Sequence, residues 1–284
     1  MLKYAAAGLL CVCLLTAAVW AEDVPAVNVA PCALLYTPVG DTSAAYQLKA
    51  DLLDLAIQGA SMGVTGEGSA NVATQFAVAE GPEPSLTTMV TLTDIRGQAG
   101  GQVQSAAGAQ VVVLTMDRHA QVLDYNVTQQ VQANTISLGA DALAGLAVFA
   151  LLPPLPVEPV AVDNTWKLQR KIMLRDSGEV SMKQQCRLVA STADEIVIES
   201  SGQGATPNLQ APNPFMPDQQ MTLSNVQIVI TKLRQVCDPQ TLVVRSAECE
   251  ATISFDGTTP DYSLPLAAKI KLQLAPAPVE PAAG

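Results

Sequence analysis

The sequence predicts a mainly β protein: two related antiparallel β-rich halves, arranged as a sandwich or half-barrel, with one short helix near residues 137–152. Three observations lead there. Charged residues make up 14 % of the chain, against roughly 25 % in an average domain, while Val, Thr, Ser and Gln are plentiful; low charge with many β-branched side chains suits pleated sheet. Several stretches alternate apolar and polar residues with a period of two, the pattern of a strand with one buried face. Finally, "TPVGDTSAAYQLK" at residues 37–49 can be laid beside "EPVAVDNTWKLQR" at 158–170: each has Pro-Val, an Asp, a Thr, an aromatic and a following Leu. Comparable series of strands follow both, as an internal repeat requires.

Residues 1–21 begin with Lys3, continue through "AAAGLLCVCLLTAAV" and end with Val19 and Ala21 at the small-residue positions of a cleavage site, which describes a secretory signal peptide. The apolar run is shorter than the roughly 20 residues a membrane span needs. Neither Cys11, after Leu10, nor Cys13, after Val12, has the small preceding residue of a lipidation site. The expected product is exported, periplasmic or extracellular, with no transmembrane span in the mature chain. Cleavage removes Lys3 and no acid, leaving the remainder one charge more negative than the −11 of the whole chain. Such a surface repels phosphate backbones and anionic headgroups, so nucleic acid is excluded as a partner.

The first β-rich half, residues 22–136, has strands expected at 45–52, 72–78, 86–95, 111–116 and 121–127, with turn-forming clusters between several of them. The Gly-rich segments 63–70 and 97–102 read as flexible inter-strand loops. A helix and Pro-rich connector follow at 137–164. "SLGADALAGLAVFALL" is helical, with Asp141 near the positive end of the helix dipole and Pro153 stopping it. Its uncharged part is also too short for a span; in a groove it would line or plug the space. Asp163-Asn164 then turns the chain into a strand whose Trp166 is expected to plug the core between the halves.

In the second half, residues 165–274, strands are expected at 165–174, 179–190, 195–200, 226–233, 242–255 and 268–274. Along 179–190, Val180, Met182, Cys186, Leu188 and Ala190 face inward. Along 242–255, Ala247, Cys249, Ala251, Ile253 and Phe255 do so, with Glu248 and Glu250 outward. The Pro-rich stretch 205–220 reads as a long loop, because proline cannot donate to a sheet ladder. Phe215 and Met216 within it are candidates for a partner contact or a lid. Residues 275–284 form a short-residue, Pro-rich tail expected to be disordered.

After cleavage four cysteines remain, and an even number in an exported chain favours disulfides. Cys237 and Cys249 flank a short excursion with a turn signal, so a local staple is expected there, leaving Cys32 with Cys186.

The catalytic inventory is thin. His119, the single histidine, sits beside Asp117 in "TMDRHAQ", read as an exposed hairpin turn rather than a general base; one histidine also excludes His-rich zinc sites. There is no Gly-x-Ser-x-Gly elbow and no P-loop. Glu248 and Glu250 would lie about 7 Å apart on a strand, a glycosidase-like spacing, but on a polar face with no aromatic platform. No Asp-rich calcium loop is present. The triplet Asn126-Val127-Thr128 is a glycosylation sequon to which no role is assigned. No catalytic, cofactor or metal site is therefore expected.

At "LPPLPVEPVAVDNTW" the chain resembles an uncharacterised family of exported, β-rich bacterial cell-envelope proteins, in which an apolar run ends in Leu-Pro, followed by Pro-Val, a hydrophilic turn often written Gly-Asp, and Thr-Trp opening a strand. Leu155-Pro156, Pro159-Val160 and Thr165-Trp166 match, whereas Asp163-Asn164 stands in place of Gly-Asp. The resemblance implies a β-rich envelope protein and transfers no catalytic residue. The functional expectation is a non-enzymatic exported binding or structural protein of the cell envelope, whose partner is another envelope protein or an apolar ligand. The alternative is a carrier of lipid or another apolar ligand in a half-barrel groove, and a hydrolase comes third.

Overall fold

A computed structural model describes residues 31–37, 42–79, 85–99, 102–105, 108–129, 137–174, 178–212, 220–258 and 263–278, all within the unit Pro31–Gly284. Its strands are β1 (Ser43–Ile57), β2 (Ala60–Ser61), β3 (Gly66–Ala79), β4 (Ser85–Ala99), β5 (Gln102–Ser105), β6 (Gln110–Met116) and β7 (Val122–Gln129). Helix α1 (Ser137–Leu151) leads to β8 (Thr165–Leu174), β9 (Gly178–Ser191), β10 (Ile196–Pro212), β11 (Gln220–Cys237), β12 (Val244–Thr258) and β13 (Ser263–Pro276). The expected helix and every expected strand are present, with most strands longer than the alternation alone marks.

All the strands join one antiparallel sheet, in the order β7-β6-β4-β3-β1-β13-β12-β11-β10-β9-β8, with β2 added to β1 and β5 to β4. The chain runs through one meander to β7, crosses by α1 to β8 and returns through a second meander until β13 pairs with β1, Leu48 opposite Leu274. The two stretches read as halves are thus continuous through the β1–β13 ladder. The sheet's free edges, β7 and β8, lie close together, so it nearly closes into a barrel. Helix α1 touches β4 and β6 on one side and β8, β10 and β12 on the other. Only a helix on the concave side of a curled sheet can reach all five.

The curl has visible local causes. Register shifts interrupt the β1–β13 ladder between Leu52 and Asp54, the β10–β11 ladder between Ser200 and Gly202, and the β11–β12 ladder at three places; such bulges bend a strand and strengthen its twist. On β10 the sheet folds so tightly that a Cβ on Gly204 would stand 2.2 Å from Met182 Sδ and 2.7 Å from Ser181 O. Only glycine fits there.

Three expectations need correction. Residues 205–212 are strand rather than loop: beyond Ala205 β10 keeps β11 as a partner but loses β9, so Pro207 and Pro212 stand where one side of the backbone has no partner strand to serve. The Gly-rich loop at 63–70 is shorter than read, because β3 begins at Gly66; likewise Gly97–Ala99 end β4 and Gln102 opens β5. Trp166 packs against the core but is not the buried plug expected between the halves. It opens β8 at the sheet's edge, is only half-buried, and donates from Nε1 to Pro154 O at 2.9 Å.

Candidate functional site

The interior is defined by the inward-facing row of each strand. On β1, β13 and β12 the cross-strand register puts Leu48 beside Leu274 and Leu272 beside Cys249, all nearly inaccessible. On β8 and β9, Arg170 pairs with Met182, and Leu168 with Gln184. These rows enclose the last two turns of α1, whose residues Ala144 to Leu151 are all buried.

One end of this interior is sealed. Residues 31–37 cross it: Cys32 pairs with Val160, Tyr36 N–H donates to Arg118 O at 2.7 Å, and Thr37 N–H donates to Thr241 O at 3.0 Å. Leu34 and Tyr36 point inward, Tyr36 edge-on to Phe76 with ring centroids 5.9 Å apart. The β6–β7 turn is held by Asp117, whose Oδ1 accepts the His119 and Gln121 N–H groups at 2.8 and 2.9 Å. His119 Nδ1 lies 4.0 Å from Asp117 Oδ2, so this pair shapes a hairpin turn, as its sequence suggested.

The β11–β12 turn is built on Asp238. Its Oδ1 accepts the Gln240 and Thr241 N–H groups and the Thr241 hydroxyl, and its Oδ2 receives Arg245 Nη2 at 2.7 Å. Burial alone would raise this carboxyl, but these four donors outweigh it and bring its pKa down to about 2.

Polar side chains inside the sheet anchor the helix's C-terminal end. Arg170, 6 % exposed, donates to Leu152 O at 2.8 Å and Phe149 O at 3.2 Å, with its guanidinium 4.4 Å above the Phe149 ring. Gln235, fully buried, donates to Ala150 O at 2.7 Å and Leu152 O at 3.1 Å. The last carbonyls of a helix lack intrahelical donors and carry the negative end of its dipole, so a cation there is well placed. Burial lowers the Arg170 pKa to about 10, leaving it charged at neutral pH. The amide oxygens of Gln184 and Gln235 are also buried, without a protein donor. Sequence reading missed all three residues, although each is a polar residue in an otherwise apolar inward row, a readable signal.

The opposite end differs. The inward row continues through Leu52, Leu55 and Ile57 on β1, Ile253 and Phe255 on β12, and Ile270, Ala268 and Leu266 on β13. All eight are apolar, and all are only partly buried. This is an apolar wall on the concave side, most of it on β1 and β13, which are not among the strands that α1 packs against.

The expected disulfides are not formed: Cys32, Cys186, Cys237 and Cys249 are free thiols. The β11–β12 turn closes sooner than a Cys237–Cys249 staple requires, so Cys237 faces Val244 while Cys249 faces Leu233. The two cysteines stand four residues apart along the ladder, about 13 Å, well beyond disulfide reach. Cys32 instead has its Sγ 3.9 Å from Ser191 Oγ, while Cys186 sits five residues back along β9, opposite Trp166 and Ser200. Burial pushes the thiols of Cys186, Cys237 and Cys249 up to about 12, so they stay protonated and unreactive.

Glu248 and Glu250 are exposed on the outer face, opposite Arg234 and Lys232 of β11. Phe215 and Met216 lie outside the described residues. Among the described residues no group of side chains could hold a metal ion, and no helix is long and apolar enough to cross a membrane.

No protein-family model matches the sequence, and no curated protein matches it. Two solved structures are similar in backbone. One, described as lipid-protein interactions in lipovitellin, is 10 % identical with a TM-score of 0.43, covering 86 % of this chain and 26 % of that one. The other, DynF from the dynemicin biosynthesis pathway of Micromonospora chersina, is 10 % identical with a TM-score of 0.28, covering 93 % of each chain. This chain therefore spans about a quarter of the lipovitellin chain. At these scores neither likeness bears on function, which rests on the geometry of the half-open interior.

Proposed function

We propose that this protein is a non-enzymatic, exported binding protein of the cell envelope that carries a lipid or another apolar molecule in its half-barrel. The observation that carries this reading is the wall formed by Leu52, Leu55, Ile57, Ile253, Phe255, Leu266, Ala268 and Ile270: entirely apolar, on the concave side, and incompletely covered. Leaving apolar surface in water costs about 25 cal/mol per Å², and a hydrocarbon ligand laid along these strands recovers that cost. A purely structural envelope component has no use for such a wall. The signal-peptide-like residues 1–21 and the Leu155-Pro156…Thr165-Trp166 segment support export and an envelope location.

Hydrolysis gains nothing from the site. The paired glutamates face away from the interior, His119 is engaged in a turn, and three thiols are held protonated. The test is native mass spectrometry and organic extraction of the purified protein, before and after incubation with phosphatidylcholine vesicles. A stoichiometric apolar molecule is expected in at least one preparation. Repeated absence, together with no uptake of a fluorescent fatty-acyl probe, would overturn the carrier reading.

A further inference from the structure

The rim of the open end has a chemistry of its own. At the bulge between Leu52 and Asp54, Leu53 drops out of the ladder with β13 and is left 52 % exposed. Across the β1–β2 turn, Met62 N–H donates to Leu55 O at 2.8 Å, so Met62, also 52 % exposed, stands directly beside the partly buried Leu55 of the interior wall. The apolar interior therefore runs without a polar break onto an exposed side chain. Residues 58–66, "QGASMGVTG", contain no ionisable group. Around them are Asp51, Asp54 and Glu67 with Lys49, Lys269 and Lys271, three acids to three bases: Lys49 is paired with Asp51 at 3.3 Å, and Lys271 and Lys269 stand opposite Asp51 and Asp54 on β13.

We infer that this rim, Leu53 with Met62, docks on a zwitterionic lipid surface, where the ligand is exchanged; the inference rests on the carrier reading. A molecule held by the apolar wall is poorly soluble in water, so the exchange path of lowest cost keeps it under cover from bilayer to interior. A mouth whose apolar lining extends to its exposed tip offers that path. The charge-balanced collar offers anionic headgroups no basic patch and the net charge of −11 repels them, which makes a zwitterionic surface the fitting one. Two inserted side chains give weak, reversible attachment, as a carrier that must leave again requires.

The test is flotation of the full chain with phosphatidylcholine vesicles, with and without added phosphatidylserine, alongside transfer of a fluorescent phosphatidylcholine between vesicles. The wild type should float with phosphatidylcholine vesicles and less with the anionic ones. Met62→Asp and Leu53→Asp should each lower the bound fraction and the transfer rate about tenfold, while the amount of lipid the protein holds stays the same. Met62→Ala and Leu53→Ala, milder at these exposed positions, should show the same trend more weakly. Normal lipid content with vesicle binding and transfer unchanged in both Met62→Asp and Leu53→Asp would overturn the docking surface and spare the carrier reading. Rim-dependent vesicle binding by a protein that never holds lipid would overturn the carrier reading, and exchange at this rim with it. No vesicle binding at all, with a protein partner captured instead, would also overturn the docking surface.

Discussion

Along a single strand, β1, the inward row is closed at one end and open at the other. Tyr46 and Leu48 are 2 % and 1 % exposed, whereas Leu52, Leu55 and Ile57 on the same side are only partly buried. The residue types hardly differ, so composition does not make the difference. At the closed end, irregular chain supplies the cover: residues 31–37, the turns at Asp117 and Asp238, and a helix end pinned by Arg170 and Gln235. At the other end most of the wall lies on β1 and β13, which are not among the strands that the helix packs against. Alternation makes an apolar face; sealing it takes polar groups that satisfy the backbone of whatever lies across it.

The largest effect expected from breaking this contrast is at Arg170. Arg170→Ala leaves Phe149 O without its side-chain donor and Leu152 O with Gln235 alone, and opens a cavity where the side chain was, which together should cost about 3–5 kcal/mol. Urea unfolding would read this as a lower midpoint at unchanged slope. Arg170→Lys should recover only part, since an ammonium cannot serve both carbonyls and stack on Phe149 as the planar fork does. A loss below about 1 kcal/mol for the alanine variant would mean that apolar packing, not the anchor, holds the helix in place.

A matched pair of truncations sharpens the comparison directly. Leu48→Ala, at the closed end, should destabilise by about 2–4 kcal/mol, because the surrounding core cannot collapse into the cavity. Leu55→Ala, seven residues along on the same inward face, should cost about 1 kcal/mol, because its side chain is already partly wet. The second variant should instead weaken uptake of a fluorescent fatty-acyl probe. Equal losses of stability would show that the two ends are one uniformly packed core.

Much of the fold was legible because alternation is local. Val180, Met182, Cys186 and Leu188 are buried as the period-two reading of β9 requires, and the helix spans Ser137–Leu151 as its composition and Pro153 indicate. Closure was not legible, since the pairing of Leu48 with Leu274 joins residues more than two hundred positions apart and no local pattern encodes it. The cysteine reading failed for a related reason: spacing revealed a hairpin between Cys237 and Cys249 but not its register, and the register decides whether two thiols meet. The anchor residues were half-legible. Arg170, Gln184 and Gln235 interrupt apolar rows, which marks them as buried polar groups needing partners, but the carbonyls that two of them serve come from a helix tens of residues away.

The smallest expected effect, at Asp238, tests whether the closed end owes its order to turn chemistry. The Asp238 carboxyl is held at about 2, below its ordinary 3.8. A depressed carboxylate contributes stability that is fully present above the unfolded-state value and is lost as pH falls through the folded one, so the window lies between about pH 4 and pH 2. Asp238→Ala removes the acceptor of two N–H groups and a hydroxyl and should cost about 1 kcal/mol at neutral pH. The ion pair with Arg245 adds little, because that guanidinium is half-exposed. Asp238→Asn keeps one acceptor oxygen and should fall between the two. The gap between wild type and either variant should narrow as pH drops from about 4 to 2 and stay flat above pH 5. A gap independent of pH over that range would mean that the turn is fixed by backbone packing under residues 31–37, and that the carboxylate merely fits a shape already set.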